Sequence, residues 1–429
     1  NLAVFYPLPL NGWGWGTVAV AAVFLISITA LAICFRGAFP YAFFGWFWFL
    51  GVLVPNIGLI QAGIQSMADR FAYLPSLGIA VLIAWGAADL AARRRWNPGL
   101  LLGIALVWLG ALSLATRMQI AHWKDSVALF SRAIDSAEGN PIAHHNLATA
   151  LLERGRVDEA YEHFMTALAY NPGHVEANTG AAIIAAGYGR LNEAEDRYRA
   201  ALSTDAGNVK AANNLGNILV STGRAAEGID LFERVLSAEP DNPDALNNHG
   251  LALAELGDES GAINRYRQAI AGRPDYYRAR QNLAVALAAR GDHGGAVVEY
   301  RATLELKPDL LQAHAGLGIS LRALGRNAEA IDALIGALDL EPGFALARFE
   351  LIDALVYEGR FREAIGELQT AIRGNSQDLG APLRLGWIYA ACSDDGLRDG
   401  RLAGRIAADI KALSDENDPG PADLMAAAL

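Results

Sequence analysis

The chain has 429 residues, of which 53% are hydrophobic and 19% charged, with a formal net charge of −11. That balance excludes a disordered, collagen-like or coiled-coil chain. The net-acidic charge argues against sequence-independent nucleic-acid binding, which needs clustered Lys and Arg.

The charge is unevenly placed. Residues 1–125 carry seven Lys and Arg against three Asp and Glu, while the remainder carries 28 against 43. The first part reads as membrane-like and the second as an acidic array. The two cysteines, Cys34 and Cys392, are far apart and form neither a disulfide framework nor a metal motif. Opening at Asn1 and closing at Asp423–Leu429 on what reads as the start of another helix, the sequence reads as a fragment of a longer chain.

Four apolar stretches come first, at Trp15–Phe35, Tyr41–Ile60, Leu74–Ala92 and Gly99–Ala115. A membrane helix needs about 20 such residues, so four transmembrane helices are expected, in a membrane block covering 1–118. Trp13, Trp15, Trp46, Trp48, Tyr41, Tyr73, Trp96 and Trp123 lie near the ends, as interface-seeking aromatics do. Arg36 follows the first stretch and Arg93, Arg94 and Arg95 follow the third. By the positive-inside rule both turns face the cytoplasm, so residues 61–73 and everything after Ala115 face outward. The repeats are then periplasmic or lumenal, in a multi-pass integral membrane protein.

After a joint and half-repeat at 119–140, the sequence repeats every 34 residues over 141–378. Glycine recurs at Gly155, Gly189, Gly223, Gly257, Gly291, Gly325 and Gly359. Five residues later come Ala160, Ala194, Gly228, Ala262, Ala296, Ala330 and Ala364. Four further on come Phe164, Tyr198, Phe232, Tyr266, Tyr300, Leu334 and Leu368. The glycine supplies a left-handed residue that ends a first helix. The small residue lets a second helix cross closely, and the large one fills the gap. Proline at 172, 240, 274, 308 and 342 is expected to stop the second helix. A single unit cannot bury its apolar face alone, so the units stack into one core. This pattern resembles the tetratricopeptide repeat, and the fold class is all-α, four transmembrane helices followed by a tetratricopeptide-repeat α-solenoid. Residues 379–429 read as a divergent capping repeat and the start of a further helix.

Asn146, Asn214, Asn248 and Asn282 share one slot on the first helices, interrupted at Gly180, Gly316 and Glu350. An amide offers donor and acceptor together, so a row of them can hold an extended peptide backbone. A similar asparagine ladder holds acceptor peptides in the nuclear-cytoplasmic O-linked N-acetylglucosamine transferases. The same residues could instead hydrogen-bond between neighbouring repeats. His144 and His145 are adjacent on a helix, so their rings diverge and no metal site is expected.

Residues 68–76, Ala68-Asp69-Arg70-Phe71-Ala72-Tyr73-Leu74-Pro75-Ser76, lie between two apolar stretches. They resemble the acidic-Arg-x-x-Tyr-Leu/Ile-Pro-Ser segment of the transmembrane and tetratricopeptide repeat-containing family. That family is similar to the protein O-mannosyltransferases, membrane glycosyltransferases of the GT-C fold. The resemblance implies a polyprenyl-phosphate-linked sugar as donor substrate and no other cofactor. Its catalytic acid belongs to an early outward loop that no residue of this sequence matches, so no catalytic residue is assigned. An outward Arg could meet the donor phosphate through a bidentate fork. Arg70 is the candidate, with Asp69 and Tyr73 beside it and Gln61 and Gln65 nearby. The opposing reading makes Arg70 an interface anchor paired with Asp69. The implied function is protein O-glycosylation, with a lipid-linked sugar, the bilayer and a protein or peptide in the repeat groove as partners. The alternative is a non-catalytic membrane-anchored scaffold.

Overall fold

The computed structural model describes residues 15–53, 73–121, 124–136, 139–375 and 379–413, with isolated positions beyond. Among the described residues every regular element is a helix. The chain divides into two compact units, Asn1–Ala211 and Ala212–Leu429.

The first unit opens with four apolar helices, α1 (Trp15–Cys34), α2 (Pro40–Leu53), α3 (Tyr73–Arg94) and α4 (Pro98–Ala121). Two among the described residues are long and apolar enough to cross a bilayer, Trp15–Cys34 and Ser76–Arg94. The expected four are therefore corrected to two. The described part of α2 is 14 residues long, and the 24-residue α4 contains the apolar run Leu102–Ala115. Much of this apolar surface is uncovered by protein, with Val20, Val23, Phe24 and Ile26 of α1 all exposed. Such a surface is what a lipid environment would cover. Helices α2 and α3 approach backbone to backbone, because a Cβ on Gly78 would collide with the Gly45 carbonyl oxygen. Small residues are what allow that approach.

The repeats of this unit follow as α5 (Ser126–Ser136), α6 (Pro141–Leu152), α7 (Val157–Tyr170), α8 (Val175–Gly187) and α9 (Leu191–Thr204). Ala133 of α5 is buried, in the slot expected of a second helix whose partner precedes it. Helix α10 (Val209–Ser221) contains the boundary between the units.

The second unit continues with α11 (Ala225–Ala238), α12 (Pro243–Glu255), α13 (Glu259–Gly272), α14 (Tyr277–Ala289), α15 (His293–Leu306), α16 (Leu311–Ala323) and α17 (Asn327–Leu340). Then come α18 (Ala345–Tyr357), α19 (Phe361–Gly374), α20 (Gly380–Ala391) and α21 (Gly400–Leu413). Helices pair in sequence order, as the 34-residue period demands.

The local chemistry repeats with the fold. The seven slot glycines have φ between 72 and 84°, a region costly for any residue with a Cβ. The next residue caps the second helix in one of two ways. Arg156, Arg190, Arg224, Arg326 and Arg360 each pair with a Glu three residues on. Asp258 and Asp292 instead accept a backbone N–H bond from Gly261 and Gly295, both 2.9 Å. A Cβ at Gly261 would collide with the capping carboxylate, so the Asp cap and the glycine belong together.

The small slot residues are fully buried, and so are the rings and leucines that fill the gap. The second helices stop two residues before Pro172, Pro240, Pro274, Pro308 and Pro342, as expected, but proline is not required for the stop. Helix α9 stops at Thr204, in the slot where its counterparts stop, although Ala206 takes the proline's place. There Asp205 turns extended and its N–H bonds back to the Ala201 carbonyl, so the helix ends without a proline.

Candidate functional site

In the second unit, α10, α12 and α14 set their first-helix faces beside the loop that enters α14 and the start of α16. Together they line a groove of about 600 Å³. Amide and hydroxyl groups come from Asn217, Ser221 and Gln281, apolar contact from Leu251 and Leu310, and aromatic surface from Tyr277. Glu255 and Arg278 are its charged members.

Asparagines form the groove's floor as a continuous relay. Asn282 donates to the Asn247 carbonyl oxygen at 2.9 Å, Asn247 donates to Asn248 at 3.1 Å, and Asn248 donates to Asn213 at 3.1 Å. The relay links helices of three successive repeats. Asn247 and Asn248 are 4% and 9% exposed, a depth at which an unpartnered amide would cost about 1–3 kcal/mol. Each donor in the relay uses one of its two N–H bonds, so hydrogen-bonding capacity is left for a ligand.

One wall is fixed by ion pairing. Arg273 grips Asp244 with two bonds of 3.2 and 2.9 Å, and its guanidinium lies 4.6 Å above the Tyr276 ring. Burial, with help from Asp244, pushes the Tyr276 hydroxyl up to about 12. Tyr276 is therefore a neutral donor at all ordinary pH values.

Of the residues singled out in the sequence, Asn248 and Asn282 take part in the relay and line the groove. Asn214 is half-buried on α10, in the same unit. Asn146 is half-buried on α6, in the first unit. The ladder's gaps at Gly180 and Gly316 have a steric cause. A Cβ there would collide with the rings of Phe164 and Tyr300, respectively. At the third gap, Glu350 is ion-paired to Arg322 at 2.5 Å. Gln61, Gln65, Asp69 and Arg70 lie outside the described residues, and Tyr73 is the first residue of α3.

Asn213 and Asn247 were missed by sequence reasoning. Their signal was present as Asn-Asn doublets 34 residues apart, of which only the second member was read. Tyr277 and Arg278 carried no periodic signal.

The adjacent histidines do point apart, each to a partner. His144 Nδ1 meets His163 Nδ1 at 3.1 Å, and the His145 ring stacks on His174 with centroids 5.1 Å apart. Among the described residues no three His, Cys, Asp or Glu side chains gather as a metal site. Desolvation holds all four imidazoles below their ordinary value of 6.5, opposed by Glu159 and Glu162 at His163 and by Glu176 at His174 and His145. The folded state thus binds protons more weakly than the unfolded chain. Stability from these groups is complete above pH ~6.5 and is lost as pH falls through the lowered values. Hydrogen exchange of α6–α8 amides is expected to accelerate between pH 7 and 5, after correction for intrinsic rates, and less so in His163→Gln.

The tetratricopeptide repeat family matches residues 151–199 and 185–247 in one form, and 116–169, 247–310 and 315–378 in another. The chain is a tetratricopeptide-repeat protein. The match from residue 116 takes in α5, the helix with no complete partner within the 34-residue count.

This tetratricopeptide-repeat protein is 30% identical over 159 residues to Protein O-mannosyl-transferase Tmtc2 of Drosophila melanogaster, covering 37% of this chain and 15% of that protein. It is 31% identical over 112 residues to Protein O-mannosyl-transferase TMTC1 of Mus musculus, covering 26% and 12%. The matched segments are thus a small part of either relative. Among solved structures, PilW, a type IV pilus biogenesis factor, is 22% identical, with 49% of this chain and 98% of that one covered and a TM-score of 0.46. PilF of Pseudomonas aeruginosa is 18% identical, with 48% and 95% covered and a TM-score of 0.44.

Proposed function

We propose that the groove of the second unit holds an extended polypeptide, and that the chain is the C-terminal part of a membrane protein O-glycosyltransferase. The observation that carries the first statement is the asparagine relay flooring an open groove. Amides spaced along successive repeats match the alternating N–H and C=O groups of an extended backbone, and Tyr277 and Leu251 add contact area for side chains. Recognition of this kind reads backbone geometry and tolerates many sequences.

The second statement is supported by the similarity to Protein O-mannosyl-transferases and by the apolar helices ahead of the repeats. On this reading the donor is a polyprenyl-phosphate-linked sugar, and Arg70, oriented by Asp69 beside Tyr73, Gln61 and Gln65, meets its phosphate. The repeats, held outside the cytoplasm, raise the local concentration of acceptor beside the membrane.

Two experiments test these statements. A photo-crosslinking residue placed at Leu251 should capture a permanently unfolded polypeptide, reduced and carboxymethylated α-lactalbumin. The same group at Val298, outside the groove and exposed, should not. Equal capture at both positions refutes the groove. In the full-length protein, Arg70→Ala should abolish sugar transfer while membrane insertion persists. Normal transfer by that variant removes Arg70 from the donor site.

A further inference from the structure

Helices α1, α2 and α3, with the turn between α1 and α2, line a second, open cavity of about 250 Å³. All its lining residues are apolar, among them Ile28, Leu31, Phe35, Phe39, Trp46 and Leu82. Trp46 keeps its one polar atom occupied, donating to Thr29 at 3.0 Å. The cavity therefore offers nothing to a polar ligand and suits a hydrocarbon chain.

Its mouth is different. Phe35 and Phe39 stand where α1 turns into α2, their centroids 6.3 Å apart. The Arg93 guanidinium lies 5.0 Å above the Phe39 ring, which brings the end of α3 to this turn. Arg93 is matched by Asp89 at 3.0 Å, and Tyr41 also donates to Asp89 at 3.3 Å. Both contacts engage Asp89, the acidic side chain at the mouth among the described residues. Arg36, Arg94 and Arg95 are exposed and have no ion pair among the described residues. The exposed Trp96 follows directly.

Arg95 adds an independent sign. Its φ is 51°, the one positive φ outside glycine among the described residues. The Trp96 N–H bonds the Ala91 carbonyl at 3.0 Å, a helix C-cap normally given to glycine. A side chain there is disfavoured sterically, so the guanidinium is kept against a local backbone preference.

Resting on the membrane reading above, we propose that this end of the apolar helices binds one anionic glycerophospholipid. One acyl chain fills the cavity, and the phosphate lies among Arg36, Arg94 and Arg95. Guanidinium groups suit phosphate oxygens through paired N–H donors, and basic clusters beside apolar helices attract anionic leaflets. A bilayer lipid, not a sugar donor, is the occupant. Helix α4 begins three residues past Arg95 and has 24 residues, so it leads the chain about 36 Å onward before the repeats start.

The test uses the whole chain. In detergent it is offered dioleoyl phosphatidylglycerol, dioleoyl phosphatidylcholine and undecaprenyl phosphate at equal concentration, and retained lipid is read by native mass spectrometry. One phosphatidylglycerol should be retained at least tenfold over phosphatidylcholine. Arg36→Ala with Arg95→Gly should erase that preference. The glycine relieves the strained cap, so lost folding cannot explain the result, and helicity should hold. Ala42→Trp, which fills the cavity, should lower retention of both glycerolipids. Equal retention of the two headgroups, a preference surviving in the double variant, or displacement by undecaprenyl phosphate overturns the proposal. Flotation separates this failure from that of the membrane reading. A chain that floats with both phosphatidylglycerol and phosphatidylcholine vesicles but retains the two lipids equally in detergent overturns the lipid site alone, whereas one that floats with neither overturns both.

Discussion

Phe232→Ala is expected to destabilise the second unit by about 3–5 kcal/mol, the cost of removing a buried aromatic ring. The ring is 0% exposed and packs on Ala225, Ala252, Val220 and Ile229. Its edge occupies the space where Gly216 would carry a Cβ. The cavity left by alanine lies between α10 and α11, and those helices cannot close it without breaking their stacking on the next repeat. Solenoid stability is a sum of repeat and interface contributions, so the loss should spread to α12 and α13. Urea denaturation followed by circular dichroism measures the cost. Val298→Ala, at an exposed site, serves as control and should change stability by less than about 0.5 kcal/mol. A loss below 1 kcal/mol at Phe232 would show that the ring does not hold the repeat together. The pairing can be tested directly. Gly216→Ala should cost about 1–3 kcal/mol alone through overpacking, and less when Phe232 is also Leu, since the two sites are in contact.

The repeat was legible because three slots recur together. A left-handed glycine, a small crossing residue and a large filler each answer a separate steric demand, and Gly223, Gly228 and Phe232 fill all three within ten residues. The helix end was legible at the proline slot, though proline is not its only cause. Proline is compatible with a stop, but Ala206 shows that it is not required. Of the four apolar stretches read in the sequence, two become helices that are long and apolar enough to span a bilayer among the described residues. Trp15–Phe35 kept its expected length, whereas the helix within Tyr41–Ile60 is described over 14 residues. The candidate site was half visible. A 34-residue period finds Asn248 and Asn282, but their bonds run to Asn213 and Asn247 in the adjacent column. That offset comes from how one repeat rotates on the next. No single-slot reading contains it, and the same limit hid the pairing of His144 with His163.

Replacing Asn214, Asn248 and Asn282 together by alanine is expected to weaken capture of an unfolded polypeptide about tenfold or more. Each hydrogen bond to a bound backbone is worth about 0.5–1.5 kcal/mol net, and 1.4 kcal/mol corresponds to a factor of ten. The relay makes the separate roles measurable. Asn282 is half-buried, ends the chain of bonds and donates once to Asn247, so Asn282→Ala leaves a single acceptor, the Asn247 oxygen, without its partner, beside the space that the shortened side chain opens to water. Asn247 both donates and accepts while almost fully buried. Its replacement leaves the Asn248 oxygen and the Asn282 amide unmatched and should cost about 1–3 kcal/mol of stability. Asn282→Ala, which unpairs one group, should therefore lower affinity with a smaller change in the urea midpoint than Asn247→Ala, which unpairs two and should lower both. Fluorescence anisotropy with labelled, carboxymethylated α-lactalbumin reads affinity, and denaturation reads stability on the same samples. If Asn282→Ala and the triple variant bind as tightly as the unaltered chain while Asn247→Ala only melts earlier, the asparagines join repeats to one another and take no part in holding a ligand.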